Sequence, residues 1–294
     1  MDLPPDVSGK RIVITGATNG IGLAAAKALA AGGAALTIVA RSPERARGAV
    51  AGIEGIGRGG KPVDVVLADL SSQAEVRRAA AEIAARYPRI DVLVNNAGAM
   101  NTRRALTVDG IELTWAVNHL APFLLTTLLL DRLKASAPAR IITTSSDAHS
   151  GAAIPFDDIN AERGYRGFGR YGQSKFANIL FTTELARRLA GTGVAANCYH
   201  PGFVATGFNR NNGPLMDVFM RIAALVARTP EKGAETLVWL AAAAEAAGTS
   251  GQYFVDMHAT EPSAAAQSAE SARRLWALSE EQVAASAPMA QPVR

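Results

Sequence analysis

The sequence predicts an α/β fold in which one parallel β-sheet is covered by helices on both faces. Short runs of β-branched residues alternate with longer segments rich in Ala and Leu up to about residue 255, and this alternation is typical of repeated strand–helix–strand units. Most strand candidates are apolar throughout, as expected for strands that are buried on both faces. With 49% hydrophobic and 19% charged residues, the 294-residue chain can also bury a large core.

The pattern places about seven strands in this sheet, with helices between them. The strands are predicted at 11–15, 35–40, 63–68, 91–95, 140–144, 194–199 and 252–255. Helices are predicted where Leu, Ile and Phe recur at steps of three and four residues, at 20–32, 43–54, 72–87, 109–135, 171–190 and 231–247. We expect one domain at 1–260, followed at 261–294 by an amphipathic C-terminal helix and a mobile tail.

Composition argues against several classes of function. The net charge of +4 is spread along the chain without a basic block, which disfavours nucleic-acid binding. Cys198 is the single cysteine, so an intrachain disulfide and a multi-thiolate zinc site are excluded, and its apolar surroundings predict core packing. The first ten residues resemble no secretory signal, and the apolar stretch 120–133 is interrupted by polar residues, as in a buried helix. We therefore expect a cytoplasmic protein without a membrane anchor.

A glycine-rich turn follows the first predicted strand and opens the first predicted helix. It contains Gly16, Gly20 and Gly22, and its other candidate cofactor-binding residues are Thr18, Asn19 and Ile21. Backbone amides at such a turn can point toward a pyrophosphate with the helix dipole behind them. Glycine is required because a Cβ would hold the phosphate away from the backbone.

The end of the second strand predicts which dinucleotide is preferred. An acidic side chain at this place would bind a ribose 2′-hydroxyl, whereas an Arg would accommodate a 2′-phosphate. Arg41 and Ser42 stand there, and the first acidic residue afterwards is Glu44. The fork-shaped guanidinium of Arg41 suits a phosphate, so we predict NADP(H) as the cofactor. The alternative is that Arg41 is an ordinary surface residue.

Tyr171 and Lys175 are the candidates for proton chemistry. Their separation of four residues puts both side chains on one face of a helix. A phenol has a pKa of about 10 and is a poor acid–base catalyst at neutral pH, but a nearby ammonium lowers that pKa. We expect Lys175, together with an oxidised nicotinamide, to bring the pKa of Tyr171 toward neutrality.

Three further positions accompany this pair. Ser146, or in its place Ser145, ends a strand where it could donate a hydrogen bond to a substrate carbonyl. Asn118 lies inside a predicted helix, where asparagine is mildly unfavourable, and could hold a water. The fourth strand ends in small and amide residues that suit a wall beside the cofactor, and the candidates there are Asn95, Ala97 and Gly98.

These motifs, with Pro201-Gly202 downstream, occur in the order found in the short-chain dehydrogenase/reductase family, which the chain resembles over about residues 10–255. The resemblance implies a single Rossmann-type, doubly wound sheet and a catalytic tetrad at Asn118, Ser146, Tyr171 and Lys175. It also implies that Asn118 anchors a proton-relay water and that Lys175 binds the nicotinamide ribose. Further cofactor contacts are implied at Asp69 and Leu70 beside the adenine, and at Pro201, Gly202, Val204 and Thr206 beside the nicotinamide.

Within the family, the chain is most similar to the retinol-dehydrogenase-like branch, on the segments 117–120, 174–181, 200–202 and 251–254. The first strand begins almost at the start of the chain, without room for the anchor of the membrane-bound members, so retinoid metabolism is not carried over. The apolar segment 207–229 is predicted to form a lid over an apolar substrate, or else to lie in the core or in a subunit interface.

Three functions remain open from the sequence. The first is an NADP-dependent oxidoreductase that acts on an alcohol or a carbonyl compound. The second is a sugar-nucleotide epimerase or dehydratase, which the glycine spacing G-x-x-x-G-x-G disfavours. The third is a non-catalytic NADP-sensing or scaffold protein. A homo-oligomer is compatible with all three.

Overall fold

A computed structural model describes residues 6–204 and 227–285 of the chain. In this part, eight strands form one sheet in the order β3-β2-β1-β4-β5-β6-β7-β8. The strands are β1 Arg11–Thr15, β2 Ala35–Ala40, β3 Asp64–Leu67, β4 Val92–Asn95, β5 Ala139–Thr144, β6 Val194–His200, β7 Tyr253–Val255 and β8 His258–Thr260. Strands β1 to β7 are parallel, and the order reverses direction between β1 and β4. The predicted doubly wound, Rossmann-type α/β sheet is confirmed.

The eighth strand was not predicted. β8 pairs antiparallel with β7 through a two-residue turn at Asp256 and Met257, whose φ angles are +48° and +66°. Positive φ at both central positions is the geometry of the tightest hairpins, which Asn and Gly usually supply. The Asp-Met sequence is not typical of such a turn. All three residues of β8 are exposed, so β8 also lacks the apolar residues from which strands are predicted.

Seven helices of twelve or more residues occur in the described ranges: α1 Gly20–Ala31, α2 Pro43–Glu54, α3 Gln73–Arg86, α4 Ala121–Ala135, α5 Gly167–Arg188, α6 Pro230–Ala242 and α7 Ala269–Ala285. The helix predicted at 109–135 begins later, because a turn at 107–111 with Gly110 at φ +73° comes first. It opens with a helical turn, Leu113–Trp115, and a π-helical turn, Ala116–Leu120, before α4.

Two apolar cores lie on opposite faces of the sheet. One core contains the buried faces of α1, α2 and α6, with Leu29, Ile53 and Leu237 among its members. The other contains those of α3, α4, α5 and α7, with Phe123 and Phe181 near its centre. Cys198 is fully buried in this second core, where burial raises the pKa of its thiol to about 12. The predicted role of Cys198 in core packing is confirmed.

The continuous helical stretch Leu113–Ala135 is long and apolar enough to cross a membrane by length and composition, with a mean hydropathy of 1.4. However, 72% of its most apolar window is buried inside the protein. Leu124, Leu125 and Leu129 all belong to the second core. Packing in the core therefore accounts for the apolar character of this helix.

The C-terminal helix α7 closes the second core from outside. Leu275, Trp276 and Val283 are buried against it, and Gln282 accepts a hydrogen bond from the indole N–H of Trp115 at 3.1 Å. Most of the segment predicted as a lid, and the tail after residue 285, lie outside the described residues.

Candidate active site

The predicted site residues come together at the carboxyl edge of the sheet. The glycine-rich turn follows β1, residues 96–98 follow β4, Ser145 and Ser146 follow β5, and Pro201 and Gly202 follow β6. The strand order reverses between β1 and β4, so a crevice opens at this edge between the loops that follow them. Ligands of open α/β sheets bind at this place.

The glycine-rich turn packs so closely that side chains are excluded. Gly16 and Gly20 have φ angles of +70° and +52°, which L-residues with a Cβ adopt rarely. A Cβ on Gly22 would lie 2.3 Å from the Gly16 carbonyl oxygen and 2.4 Å from Asn96 Nδ2. A Cβ on Gly16 would lie 2.8 Å from the Cα of Ala97. The turn therefore presents bare backbone at the N-terminus of α1.

The turn is fastened to the loop after β4 by hydrogen bonds that were not predicted. Thr15 Oγ1 accepts from the backbone N–H groups of Asn96 and Ala97, both at 3.0 Å. Asn96 Nδ2 in turn donates to the carbonyl oxygens of Thr15 and Gly16, both at 3.2 Å. Thr15 and Asn96 therefore hold the two loops at a set distance. The sequence predicts cofactor contacts at the residues next to Thr15 and Asn96. No local pattern at either residue predicts the hydrogen bonds between them.

Asn95 is buried, and its amide is only partly used. Its Nδ2 donates to Thr126 Oγ1 at 2.9 Å, whereas its Oδ1 has no hydrogen-bond partner in the described structure. It lines a small crevice with Leu70, Ala97 and Leu125 among others. An orphaned buried acceptor beside a bare backbone turn fits a site that a nucleotide completes.

Asp69 and Ser42 are held in place by local hydrogen bonds. Asp69 Oδ1 accepts from the backbone N–H of Ser71 at 2.9 Å and from its hydroxyl at 2.8 Å. Ser42 caps α2 by accepting from the N–H of Arg45 at 3.3 Å. Arg41, between β2 and this cap, is exposed, so its guanidinium is accessible to an anion at the same edge of the sheet.

Tyr171, Ser146 and Lys175 form one group. The Ser146 side chain lies close enough to the phenol of Tyr171 to lower its pKa. The ammonium of Lys175 lies 5.6 Å from the centre of the Tyr171 ring and donates to the carbonyl oxygen of Thr144 at 2.9 Å. The helix spacing of four residues therefore brings the two side chains together as predicted.

The structure decides between the two candidate serines. The Ser145 hydroxyl is buried and donates to the Lys175 carbonyl oxygen at 2.8 Å, so it links β5 to α5. Ser146 contacts Tyr171 and is partly exposed. Ser146 is therefore the one of the two serines that lies beside the phenol, and its contact with a substrate stays a prediction.

The lowering of the Tyr171 pKa that is expected from Lys175 together with an oxidised nicotinamide stays a prediction, and burial acts against it. Burial raises the pKa of Tyr171 to about 12, and the Ser146 side chain opposes this only in part. Burial also lowers the pKa of Lys175 to about 8. The reason is that desolvation disfavours the phenolate and the ammonium alike, an effect that sequence spacing does not show.

Asn118 lies in the π-helical turn, and such turns occur frequently at functional sites. Its Oδ1 accepts from the Ala99 N–H at 2.7 Å, and its Nδ2 donates to the Ala99 carbonyl and to Ser174 Oγ, both at 2.9 Å. The side chain thus clamps the loop after β4 to α5. Its role in holding a water stays a prediction.

Two histidines hold the backbone around Ser146, and the sequence predicted this role for neither of them. His149 Nδ1 is 2.8 Å from the Ser146 carbonyl oxygen, and its Nε2 accepts from the Ser263 N–H at 3.1 Å. His200 Nδ1 accepts from the Asp147 N–H at 3.1 Å. His149 lies in the same loop as Ser146, three residues later, whereas His200 reaches this loop because β6 pairs with β5.

The loop after β6 is also tightly packed. Gly202 has a φ of +80°, and a Cβ there would meet the Arg228 side chain at 2.7 Å. Arg228 forms an ion pair with Asp256, and Val204 pairs with Arg228 in a short bridge. Thr206, the last predicted contact of this loop, lies outside the described residues.

Comparison with known proteins identifies the family. The model of the family described as short chain dehydrogenase matches residues 10–216. Human retinol dehydrogenase 13 is 42% identical over 288 residues, which cover 96% of this chain and 87% of that protein. DnrU of Streptomyces sp. (strain C5), assigned as a daunorubicin C-13 ketoreductase, is 43% identical over 269 residues, which cover 91% and 90%.

A solved structure is also similar. A short chain dehydrogenase from Burkholderia cenocepacia J2315 in complex with NADP has a TM-score of 0.67 at 31% identity, over 85% of this chain and 96% of that one. The carboxyl-edge site and these matches over most of the chain lead to one assignment: the protein belongs to the short-chain dehydrogenase/reductase family and is similar to its retinol dehydrogenases.

Proposed function

We propose that the protein is an NADP(H)-dependent oxidoreductase that interconverts an alcohol and a carbonyl compound, with Tyr171 as the general acid and base. The observation that carries this proposal is that the Ser146 side chain and the Lys175 ammonium both lie beside Tyr171. This group lies at the same edge of the sheet as the glycine-rich turn, where a proton donor can act on a substrate held beside a dinucleotide.

The residues present fit a dinucleotide cofactor. Gly16, Gly20 and Gly22 would bind the pyrophosphate through backbone N–H groups at the start of α1. Arg41 would bind a 2′-phosphate, which supports NADP(H) over NAD(H). The NADP complex of the Burkholderia relative is in agreement with this choice. When bound, the cofactor supplies or accepts the hydride.

The side chains of the site would handle the proton. In carbonyl reduction, Ser146 donates a hydrogen bond to the substrate oxygen and stabilises the negative charge that develops there. Tyr171 gives its proton to the same oxygen. The Lys175 ammonium then stabilises the phenolate left on Tyr171. In alcohol oxidation the same groups act in reverse, and Tyr171 accepts the proton.

We propose an apolar substrate. Phe168 lies one helical turn before Tyr171 on the same face of α5, and 69% of its side chain is exposed. Phe203 follows Pro201-Gly202 and is 51% exposed. Exposed aromatic rings beside a catalytic group favour an apolar ligand. The names of the relatives, retinol dehydrogenase and daunorubicin ketoreductase, agree with an apolar or polycyclic substrate.

One observation favours a second candidate, a non-catalytic NADP-sensing or scaffold protein of the same fold. Burial raises the pKa of Tyr171 to about 12, and a phenol with this pKa is protonated at neutral pH and does not act as a base. A protein that only binds NADPH would keep the glycine-rich turn and Arg41 and would have no turnover.

The test is a screen of NADPH consumption with aldehydes, ketones and quinones of increasing apolar area, with Tyr171→Phe as the matched variant. We expect turnover by the wild type and a loss of about 10²- to 10⁴-fold in the variant, as is usual when general acid catalysis is removed. Cofactor affinity, measured by NADPH fluorescence, should be unchanged, because the ring is retained. Binding of NADPH without turnover of any substrate would favour the sensor, and full activity of Tyr171→Phe would refute the proposed mechanism.

A further inference from the structure

A buried ion pair lies immediately beside the catalytic group. Arg170 Nε is 2.7 Å from Glu112 Oε2, and the two side chains are 1% and 0% exposed. An apolar pair of similar volume is often as stable as a buried ion pair, because removing two charges from water is costly. Stability alone therefore does not account for its presence next to Tyr171.

The Glu112 side of the pair sets where the Asn118 helix begins. Glu112 accepts from the backbone N–H groups of Thr114 and Trp115, both at 2.9 Å. It therefore caps the helical stretch that carries Asn118 a few residues later. The phenol of Tyr165 also donates to Glu112 at 3.2 Å, so the loop that precedes α5 is held to the same carboxylate.

The Arg170 side of the pair belongs to the first turn of α5. Its guanidinium lies over the Trp115 ring, 4.7 Å from the ring centre. It also donates to the carbonyl oxygen of Ile159 and to Gln173 Oε1. The residue directly before Tyr171 is thus fixed on several sides.

A second link lies one turn further along α5. Asn118 Nδ2 donates to Ser174 Oγ at 2.9 Å, and Ser174 Oγ donates to the Tyr171 carbonyl oxygen at 2.7 Å. The backbone of Tyr171 therefore lies between two links from α5 to the Asn118 helix, one through Arg170 and one through Ser174. With both links in place, α5 cannot rotate or slide without breaking a buried polar contact.

We infer that Glu112 and Arg170 are a positioning pair for the reaction: they hold the first turn of α5 so that the phenol of Tyr171 meets Ser146 and the substrate oxygen. Neither residue would touch the substrate. The inference rests on the proposed function, since it assumes that Tyr171 transfers the proton. A displacement of a catalytic group by about 1 Å can reduce a rate by as much as 10²-fold, so the effect should appear in kcat.

The experiment separates folding from positioning by removing both charges together. In the single variant Arg170→Met, an uncompensated buried carboxylate remains, and we expect a clear fall in Tm. In the double variant Glu112→Gln with Arg170→Met, no buried charge remains and the single Gln oxygen can still accept from one of the two capped N–H groups, so the Tm should recover most of what the single variant loses. The kcat for carbonyl reduction should nevertheless stay about 10- to 100-fold low, with the KM for NADPH and the NADPH affinity unchanged.

A control makes the same two substitutions at the other end of α5, in an ion pair whose arginine is exposed. Glu184 pairs with Arg187 at 2.7 Å in the last turns of α5, far from Tyr171 along the helix. Glu184→Gln with Arg187→Met should leave kcat unchanged.

Two results would overturn the inference while the proposed function stands. One is a double variant with both the Tm and the kcat of the wild type. The other is a double variant whose loss is spread over stability, KM and NADPH affinity, as for a purely structural pair. A wild type without turnover of any carbonyl compound would refute the proposed function and this inference together. A Tyr171→Phe variant with full activity would do the same.

Discussion

Two influences act on the pKa of Tyr171. Burial raises it, and the Ser146 side chain lowers it by favouring the ionised phenol. The ammonium of Lys175 donates to the Thr144 carbonyl oxygen, 2.9 Å away, which places its charge beside the end of β5. Asn178 Nδ2 donates to the same oxygen at 3.2 Å. The polar atoms of the site are therefore oriented by backbone groups, which is how a site is preorganised before its ligands bind.

The pKa values of the site predict a pH dependence. Because the pKa of Lys175 is about 8 and that of Tyr171 about 12, the ammonium loses its proton first as the pH rises. The kcat for carbonyl reduction should be constant well below pH 8 and fall as the pH passes through about 8. A steady-state pH profile of kcat measures this, and a constant kcat up to pH 10 would contradict it.

The titration of Lys175 does not itself unfold the protein in this range. The pKa of folded Lys175, about 8, is below its ordinary 10.5, so between these pH values the folded protein binds fewer protons than the unfolded chain. Lys175 therefore adds stability as the pH rises through this window. Tyr171 acts in the opposite sense only above its ordinary pKa of 10.0. Circular dichroism across the same range is the control.

Arg41 is expected to decide the choice of cofactor. It is exposed at the end of β2, and a hydrogen bond to a charged group contributes about 1.5–3 kcal/mol. Arg41→Ala should lower kcat/KM for NADPH by about 10- to 100-fold and leave that for NADH nearly unchanged. Arg89→Ala removes the same charge from the opposite edge of the sheet. This variant should leave kcat/KM unchanged for both NADPH and NADH. Equal losses with both cofactors in Arg41→Ala would refute the assignment.

At the scale of elements, close packing of α1 against two loops makes the cofactor turn. The Gly16 carbonyl and the Asn96 amide lie so close to Gly22 that a Cβ on this residue would clash with both. Gly233 does the same for α6, since a Cβ there would lie 2.6 Å from Val204. These glycines let helices approach loops that carry site residues, so the site depends on how the elements are packed.

Gly22 and Gly48 offer a matched pair of helical glycines, because a Cβ on Gly48 of α2 would meet nothing within 4 Å. Gly22→Ala should lower the free energy of unfolding by about 1–3 kcal/mol through overpacking and should also weaken NADPH binding. Gly48→Ala should raise the free energy of unfolding by about 0.5–1 kcal/mol, because alanine favours a helix more than glycine does. Urea unfolding and fluorescence titration measure both, and equal effects at the two positions would contradict the packing argument.

At the scale of the whole molecule, α7 packs against the second core, on the face of the sheet covered by α4 and α5. The Trp276 ring lies 4.9 Å from Phe123 and 5.9 Å from Phe181, between ring centres. His119, next to Asn118, is bound to Ser279 of α7 at 2.8 Å. Burial lowers the pKa of His119 to about 3, so this link is between neutral groups at physiological pH. The C-terminal helix is thus part of the support of the active site.

Loss of the Trp276 ring should affect the whole fold. Trp276→Ala should lower the free energy of unfolding by about 3–5 kcal/mol, as expected for truncation of a buried aromatic ring. Trp239, which is only partly buried against Phe254 on the other face, is the control, and Trp239→Ala should cost less. Unfolding curves of the two variants measure this difference. A larger loss at Trp239 would contradict the assigned importance of α7.

The sequence by itself determined the order of strands and helices, the glycine-rich turn, and the pairing of Tyr171 with Lys175. These features depend on hydrophobic period, turn residues and helical spacing, which are properties of neighbours in the chain. Only the tertiary structure showed that Ser145 is used to link β5 to α5, and that burial raises the pKa of the Tyr171 phenol. It also revealed β8 and the pairing of Glu112 with Arg170 across 58 positions of the chain. The physical reason is that burial and hydrogen-bond partners are set by segments far apart in sequence, and folding alone brings them together.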